Sequence, residues 1–537
     1  MTVGPTSSTD AVPGIEIRQG GLGSRSQSLA LATLCAVLFL TFLDNTVVSV
    51  GLANVQSSLH AGITSLQWVV NGYALTFAAF MLAGGTLGDM LGRKSIMLAG
   101  VAVFCAGSIL AALAPNVDVL IVGRIVMGLG AAASEPGTLS IIRHVYPDEG
   151  TRADALGVWA AVSGLALALG PVIGGVLVGL WDWRAIFWFN LFIGAVALGM
   201  THFFVPETSD REEGRIDIGG IVIGALALAS ASFGIIQGEQ SGYLTWWIDV
   251  SFAASLVLGY LFFRVEHRVR RPILDFSLFR RSAFSGSVFV AFAAYFGTFS
   301  IFFFTALYLQ VVVQASPYAT ARTFIPMAAG LIIASLLTGP WVARHGPRVP
   351  MTVGCVLAAA GILITSSFLG PHVDLSTLGG ILALAGIGFG IMLVPVTSTP
   401  LTVVAPEHSG MAASATNTSR EMGAVFGVAV LGSIVNSKLT GQLGARLKEL
   451  KISPNIQGLV IHGITGGGLG GGAAKKAESA KSGLAKEIIT AAYQAFGDGL
   501  HVALDISGAL LLVGAVVAVT MIHGRRAKPG AAAKRPG

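Results

Sequence analysis

The chain has 537 residues, of which 53% are hydrophobic and only 11% are charged, a composition that excludes an ordinary soluble domain and indicates a polytopic membrane protein. The formal charge of +6 comes from Lys and Arg in short segments between apolar runs, so we expect no basic face for a nucleic acid. The three cysteines lie singly inside apolar runs, which argues against a disulfide framework or a zinc site.

Fourteen segments of about 20 apolar residues are long enough to cross a bilayer. A polar tail, residues 1–28, precedes the first segment, whose apolar run of about 24 residues is too long for a signal-peptide core. We therefore expect this run to be retained as the first helix. The predicted spans are 29–52, 66–87, 95–114, 118–140, 156–179, 185–205, 218–237, 247–264, 284–311, 324–343, 350–369, 377–398, 410–436 and 500–522.

Lys and Arg concentrate in alternate connections, which predicts that both chain ends are cytoplasmic. The short outside connections "APNVD", "QGEQSGY" and "LGPHVDLST" carry neither residue, and the tail 524–537 is basic. The exception is the long outside loop 437–499, with eight Lys or Arg, but long loops translocate largely regardless of charge. Its stretch "AAKKAESAKSGLAKEIITAAYQAF" fits either an amphipathic helix on the outer membrane face or a plain linker.

Three classes of membrane protein compete: a secondary transporter, a channel or receptor, and a membrane-embedded enzyme. No G-x-x-x-x-G-K-[ST] loop is present in the sequence, which argues against ATP-driven transport by this chain alone. The sequence also lacks H-E-x-x-H and any sustained polar cluster suited to intramembrane hydrolysis. A transporter, rather than an enzyme, is the simplest interpretation, and we expect no cofactor and no metal.

The first predicted span contains a carboxylate, Asp44, near its outer end. A charged Asp at the centre of a spanning helix costs roughly 2.5–3.5 kcal/mol on insertion scales, so such residues usually face a partner or a water-filled cavity. We therefore treat Asp44 as a candidate functional residue.

The loop between the second and third spans reads "GGTLGDMLGRKSIML". It resembles the cytoplasmic loop motif G-x-L-[AG]-D-x-x-G-R-[KR] of the major facilitator superfamily. The glycines allow a tight turn and close helix approach, and an Asp near a helix end can pair with basic groups on a neighbouring helix. An ordinary cytoplasmic turn is the simpler alternative. The matching residues are Gly85, Leu87, Gly88, Asp89, Gly92, Arg93 and Lys94.

Arg124, in the fourth span, matches the fourth-helix arginine of the superfamily motif R-x-x-Q-G, although Met127 replaces the Gln. Arg124 lies roughly 9 Å and Asp44 roughly 12 Å from the outer ends of their spans, at 1.5 Å per residue. Because the two depths are comparable, we expect Arg124 to tune Asp44 as a site for a proton or a cation. The alternative is a static ion pair that holds spans 1 and 4 together.

Glu135, eleven residues after Arg124, directly precedes Pro136 near the cytoplasmic end of the same span. Two interpretations stay open. Glu135 is either a second carboxylate of the cavity, for a proton or a cation, or a cap at a break in the helix.

The fifth span contains "GLALALGPVIGG", which resembles the motif G-x8-G-P-x-x-G-G of proton-coupled antiporters in this superfamily. The glycines leave one helix face bare for a close neighbour, and the proline removes a backbone hydrogen bond and bends the helix. Such a face can act as a seal or a pivot, and generic helix packing is the alternative. The residues concerned are Gly164, Gly170, Pro171, Gly174 and Gly175.

Further stretches resemble the 14-helix drug:proton antiporter branch: "LDNTVVSVGLANV", "QWVVNGYALTFAAFMLAGG", "DWRAIFWFNLFIG" and "ALYLQVVVQASPYATARTFIP". The resemblance implies an all-α major facilitator fold with its cavity between two six-helix bundles. We assign these bundles to residues 29–205 and 284–523, with two extra helices and a basic cytoplasmic loop in 206–283.

The thirteenth span carries two adjacent charges near the membrane midplane, Arg420 and Glu421, where the related pattern is Arg-Gln. Adjacent helix positions point about 100° apart, so one charge is expected to line the cavity while the other meets a neighbouring helix. Asn417 lies one turn before Glu421 on the same face. We predict Glu421 as a proton or cation site, with Asn417 and Arg420 as cavity-lining residues.

The resemblance, together with these residues, implies a bacterial inner-membrane transporter that exports amphipathic, cationic compounds in exchange for protons. Its partners are a hydrophobic or cationic small molecule, protons and membrane lipids, and we expect a monomer. Two alternatives stay open: export of an endogenous lipid or metabolite on the same fold, and a sensor or scaffold that transports nothing.

Overall fold

A computed structural model of the chain describes residues 24–208, 218–269, 276–370, 373–404, 409–450 and 483–522, with isolated positions between 452 and 461. Within these ranges the regular structure is helical. Apolar segments of this length form helices because every backbone polar group in a bilayer must be satisfied within the segment. The α-helices are α1 Ser24–Val47, α2 Leu52–Leu59, α3 Ile63–Leu91, α4 Arg93–Ala112, α5 Val117–Ser134, α6 Pro136–Val145, α7 Glu149–Leu180, α8 Arg184–Phe204, α9 Ile218–Ser241, α10 Trp246–Glu266, α11 Ser282–Val311, α12 Pro317–His345, α13 Arg348–Phe368, α14 Leu375–Val403, α15 Ser409–Glu449 and α16 Gly483–Met521.

Within the described ranges, twelve helices are long and apolar enough to cross a membrane, and the bent helix α7 raises the number to thirteen. The predicted span 66–87 coincides with the 29-residue helix α3, which is not among these thirteen. The all-helical fold is confirmed, whereas the count of fourteen spans stays a prediction.

The helices form two groups that pack mainly within themselves. Helices α1 to α8 make the first group, where α4 packs on α5 and α8, and α3 packs on α5. Helices α11 to α16 make the second, where α14 packs on α12 and α13, and α15 packs on α11 and α16. The main contacts between the groups join α3 to α15 and α7 to α12.

The two extra helices, α9 and α10, pack on each other, and α9 lies against α3 and α15. The Ser433 hydroxyl of α15 donates a hydrogen bond of 2.9 Å to the Ile235 carbonyl of α9. Large apolar side chains of α10, such as Leu256 and Tyr260, are exposed. The pair therefore lies beside the seam between the two groups and presents an apolar surface outward.

The predicted outside loop 437–499 is helical at both of its ends. Helix α15 continues to Glu449 and α16 begins at Gly483, so the part of the amphipathic stretch from residue 483 onward is neither a linker nor a separate surface helix. Leu439, Leu443 and Leu447 are fully buried at a spacing of four residues. This helical spacing extends α15 past the apolar run from which the span was predicted. The other predicted loop residues, apart from four isolated positions between 452 and 461, lie outside the described ranges.

Candidate functional site

Asp44 and Arg124 form a buried ion pair between α1 and α5. Arg124 Nη1 contacts Asp44 Oδ2, and both side chains are at most 1% exposed. The second carboxylate oxygen accepts a hydrogen bond of 2.6 Å from Asn190 Nδ2 of α8. Both oxygens of Asp44 are therefore occupied, and the pair connects three helices of the first group.

The rest of the Arg124 side chain is held by α3. Its Nε donates to the Val69 carbonyl at 2.9 Å, and its guanidinium lies 4.5 Å from the centre of the Tyr73 ring. The Tyr73 hydroxyl donates to the Thr41 carbonyl of α1 at 2.9 Å. The sequence predicted the comparable depth of the two charges, but Tyr73 and Asn190 were recognised only as parts of family-like stretches, with no role assigned.

Glu135 lies at the break between α5 and α6, fully buried. Neither carboxylate oxygen has a hydrogen-bond partner among the described residues, and the side chain does not cap α6. Instead, the Glu135 main-chain carbonyl accepts from the Thr138 hydroxyl at 2.7 Å, and that hydroxyl accepts from Trp159 Nε1 at 3.0 Å. Glu135 therefore occupies the N-cap position of α6 without a capping bond from its side chain, and its role as a second carboxylate of the cavity stays a prediction.

In the second group, Arg420 is bound within its own half of the protein. Its Nη2 donates to the Tyr295 hydroxyl, and its Nη1 donates to Asn417 Oδ1 at 3.1 Å. The guanidinium also lies 5.9 Å from the centre of the Phe42 ring of α1, across the seam between the groups. Asn417 therefore accepts a hydrogen bond from Arg420, although the sequence analysis placed it on the helix face of Glu421.

Glu421 is 1% exposed, and its Oε2 has no hydrogen-bond partner in the described part of the chain. Arg420 is turned toward Tyr295 and Asn417 rather than toward this oxygen. The charges of Glu135, Arg420 and Glu421 nevertheless act on one another electrostatically. Two buried carboxylates, one from each group, thus share one guanidinium without a direct pair.

The loop motif forms the sharp connection between α3 and α4. Gly92 has φ +111°, a conformation that L side chains rarely adopt, and a Cβ there would lie 2.7 Å from Glu207 Oε1. Gly85 lies within α3, and Arg93 is buried. The side chain of Asp89 lies outside what the structure describes, so its predicted pairing stays a prediction.

Glu207, which follows α8, accepts hydrogen bonds from the first turn of α4. The Lys94 amide donates to Oε1 at 3.1 Å, and the Ser95 hydroxyl donates to Oε2 at 2.6 Å. Lys94 Nζ donates to the His202 carbonyl at 2.7 Å. A carboxylate at a helix N-terminus is favourable because it meets free N–H groups and the positive end of the helix dipole. Sequence reasoning missed Glu207, since nothing local to "PETSD" indicates a distant helix start.

The glycines of α7 permit close contact with the first span. A Cβ at Gly170 would overlap the Thr46 hydroxyl, and one at Gly174 would overlap the Val47 carbonyl. Pro171 cannot donate to the carbonyl four residues earlier, that of Leu167, and α7 bends by 42° between Leu167 and Leu169. The Thr46 hydroxyl donates to this Leu167 carbonyl at 2.9 Å and so satisfies it.

The same helix also touches the second group. A Cβ at Gly175 would lie 2.8 Å from the Pro317 carbonyl at the start of α12, and it would overlap the Ala321 side chain. A Cβ at Gly164 would lie 3.1 Å from Leu393 Cδ2 of α14. Helix α7 of the first group therefore also packs against α12 and α14 of the second group.

Two glutamines join the groups on the side that the charge pattern predicts to be outside. Gln310 Nε2 of α11 donates to the Val50 carbonyl at 2.7 Å. Gln67 Nε2 of α3 lies 3.3 Å from the Val428 carbonyl and 3.4 Å from the Ala429 carbonyl of α15. These bonds and the α7–α12 contact join the two groups on this side.

Comparison with known proteins adds independent findings. The sequence model of the Major Facilitator Superfamily, a protein family, matches residues 34–428 of the chain. The chain is 33% identical over 431 residues to the multidrug resistance protein Stp of Mycobacterium tuberculosis, covering 80% of each. It is 30% identical over 489 residues to the multidrug efflux pump LfrA of Mycolicibacterium smegmatis, covering 91% and 95% respectively.

Solved structures agree on the fold. A bacterial homologue of the human lysosomal transporter Spinster, in an inward-facing and unoccupied conformation, matches with a TM-score of 0.58 at 19% identity. The match covers 92% of this chain and 98% of that one. At this identity the likeness concerns the fold alone.

Proposed function

The chain belongs to the Major Facilitator Superfamily, and on that premise we propose that it exports hydrophobic or cationic small molecules in exchange for protons. Relatives that are 30–33% identical over most of the chain carry the names of a multidrug resistance protein and a multidrug efflux pump. The observation that carries the coupling part is the pair of buried carboxylates, Glu135 and Glu421, with unpartnered oxygens on opposite sides of the seam.

An isolated carboxylate in a low-dielectric interior is costly unless a proton or a cation neutralises it. A cationic substrate and a proton therefore compete for the same charge. The arrival of a proton from outside releases the cation. Loss of that proton to the cytoplasm restores the affinity of the site for the next cation. Each proton that enters down a potential of 100 mV contributes about 2.3 kcal/mol.

Asp44 has a different part in this proposal. With both oxygens occupied by Arg124 and Asn190, it holds α1, α5 and α8 together. It becomes a site for a proton or a cation only when Arg124 moves away, because the unpaired charge then needs a new partner. Asp44 thus links proton binding to the arrangement of the helices, while a static pair is the competing account.

Helix α7 and the loop motif serve the change of state. Opening toward the outside requires the Gly175 contact with α12 to separate, whereas Gly170 and Gly174 keep α7 against the first span. Asp89, Arg93 and the first turn of α4 stabilise the outward-facing state from the cytoplasmic side.

We place the protein in the bacterial inner membrane as a monomer, with both ends in the cytoplasm. The alternation of Lys- and Arg-rich connections supports this orientation. We keep the division into bundles 29–205 and 284–523, joined by 206–283, because helices pack mainly within these groups.

The test uses purified protein in liposomes that contain a pH-sensitive dye, with tetraphenylphosphonium as the cation. We expect wild type to release protons when the cation is added, and Glu135→Gln and Glu421→Gln to lose most of this release. Asp44→Asn tests whether coupling also requires the ion pair.

The matched control is Glu449→Gln, which removes an exposed carboxylate at the end of α15. It should leave proton release unchanged. Full proton release by the Glu135→Gln, Glu421→Gln double variant would contradict the assignment of coupling to these two residues.

A further inference from the structure

The contact between α3 and α15 fixes how their side chains face each other. The Gln67 amide reaches the carbonyls of Val428 and Ala429, and a Cβ at Gly432 would overlap that amide. Because α3 runs inward from its outer end and α15 runs outward, residues after Gln67 face residues before Val428. Toward the middle of the membrane, residue numbers therefore increase along α3 and decrease along α15.

Asn71 lies one helical turn after Gln67, on the same side of α3 and about 6 Å closer to the cytoplasm. It is fully buried, and neither Nδ2 nor Oδ1 has a hydrogen-bond partner within the described ranges. A buried carboxamide with every bond unmade is uncommon, since each missing bond leaves a desolvated polar group. Packing alone therefore gives no reason for an Asn at this position.

Glu421 lies seven residues before Val428, which is two turns along the same face of α15 and about 11 Å closer to the cytoplasm. Its level therefore differs from that of Asn71 by only about 5 Å along the helix axes. A carboxylate with one unpartnered oxygen and an unpartnered carboxamide thus lie at similar levels on the facing sides of α15 and α3.

We propose that Asn71 and Glu421 form a two-point site for a protonated amine that carries a hydroxyl, carbonyl or amide group beside its nitrogen. Glu421 neutralises the ammonium, and Asn71 donates to and accepts from the neighbouring polar group. The proposal rests on the export of cations proposed above and specifies which cations bind most tightly. A cation without hydrogen-bonding groups uses only the carboxylate.

The test compares equilibrium binding of two probes to the full-length protein in lipid nanodiscs, without a proton gradient. Propranolol is a protonated amine with a hydroxyl on the adjacent chain, whereas tetraphenylphosphonium has no hydrogen-bonding group. Asn71→Leu, which keeps the size of the side chain, should weaken propranolol binding by about tenfold, the loss of one or two hydrogen bonds. Its binding of tetraphenylphosphonium should change by less than about twofold.

Asn71→Thr retains one donor and one acceptor, so it should lose an intermediate part of the propranolol affinity, and it replaces Asn71→Leu if that variant does not fold. Glu421→Gln should weaken both probes. The matched control is Asn436→Leu, a buried amide further out on α15. It should leave the ratio of the two affinities unchanged.

An equal effect of the Asn71 variants on both probes, or no effect on either, would overturn the proposal. Because binding is measured at equilibrium, this outcome is separate from the proton-release assay. Selective loss of propranolol with no proton release in liposomes would retain the two-point site and reject proton coupling instead.

Discussion

Removal of Arg124 alone should destabilise the protein more than removal of Arg124 and Asp44 together. Arg124→Met leaves the Asp44 carboxylate buried with the Asn190 amide as its remaining described partner, at 2.6 Å. Loss of one member of a buried ion pair typically costs about 3–5 kcal/mol. Asp44→Asn should cost less, because the Val69 carbonyl and the Tyr73 ring still stabilise the guanidinium.

In the double variant Asp44→Asn, Arg124→Met, no buried charge is left without a partner. Replacement of a whole buried pair by neutral groups of similar size is often close to neutral. The two single effects should therefore fail to add, with a coupling free energy of at least about 3 kcal/mol. Equilibrium unfolding of all four proteins in mixed detergent micelles, followed by tryptophan fluorescence, measures this quantity.

The exposed pair of Arg446 and Glu449 on α15 supplies the control cycle. Its coupling free energy should stay below about 1 kcal/mol, because water screens the charges. Additive effects at Asp44 and Arg124 would refute the reasoning, since they would mean that Asp44 holds a proton and carries no charge for Arg124 to compensate.

Three further substitutions test the contact between α7 and α12, the start of α4 and the loop motif. Gly175→Val should force α7 and α12 apart at this contact and increase the labelling of a cysteine introduced there, whereas Gly157→Val, with open space around its Cβ, should not. Glu207→Ala should lower the free energy of unfolding by about 1 kcal/mol, because the Lys94 amide loses its acceptor. Asp89→Asn should slow transport in liposomes without weakening substrate binding; equal transport rates would contradict its part in the change of state.

Counting residues along each helix was enough to predict that Asp44 and Arg124 lie at comparable depths. The depths were counted at about 1.5 Å per residue, and the structure joins the two charges. The break before Pro136 was likewise visible, because proline cannot continue the hydrogen-bond ladder of a helix. Such inferences need only local geometry.

Contacts that join distant segments could not be predicted in this way. Glu207 meets α4 more than a hundred residues after the helix begins, and Asn71 becomes notable only when its neighbours on α15 are known. The extension of α15 to Glu449 was missed because its polar residues lower the hydropathy of a segment that still keeps a helical stripe of leucines.

The long ends of α15 and α16 are rigid extensions that amplify any movement of the second group. Because each end is an unbroken continuation of a helix in the second group, it has no hinge of its own at the membrane surface. Thirteen residues of α15 beyond the predicted span give an arm of about 20 Å. Any tilt of the second group moves the tip of this arm through a wider arc than a residue near the middle of the same helix. Single-molecule measurements could follow this movement as a change in the distance between a fluorophore on Lys448 and a second fluorophore on the first group.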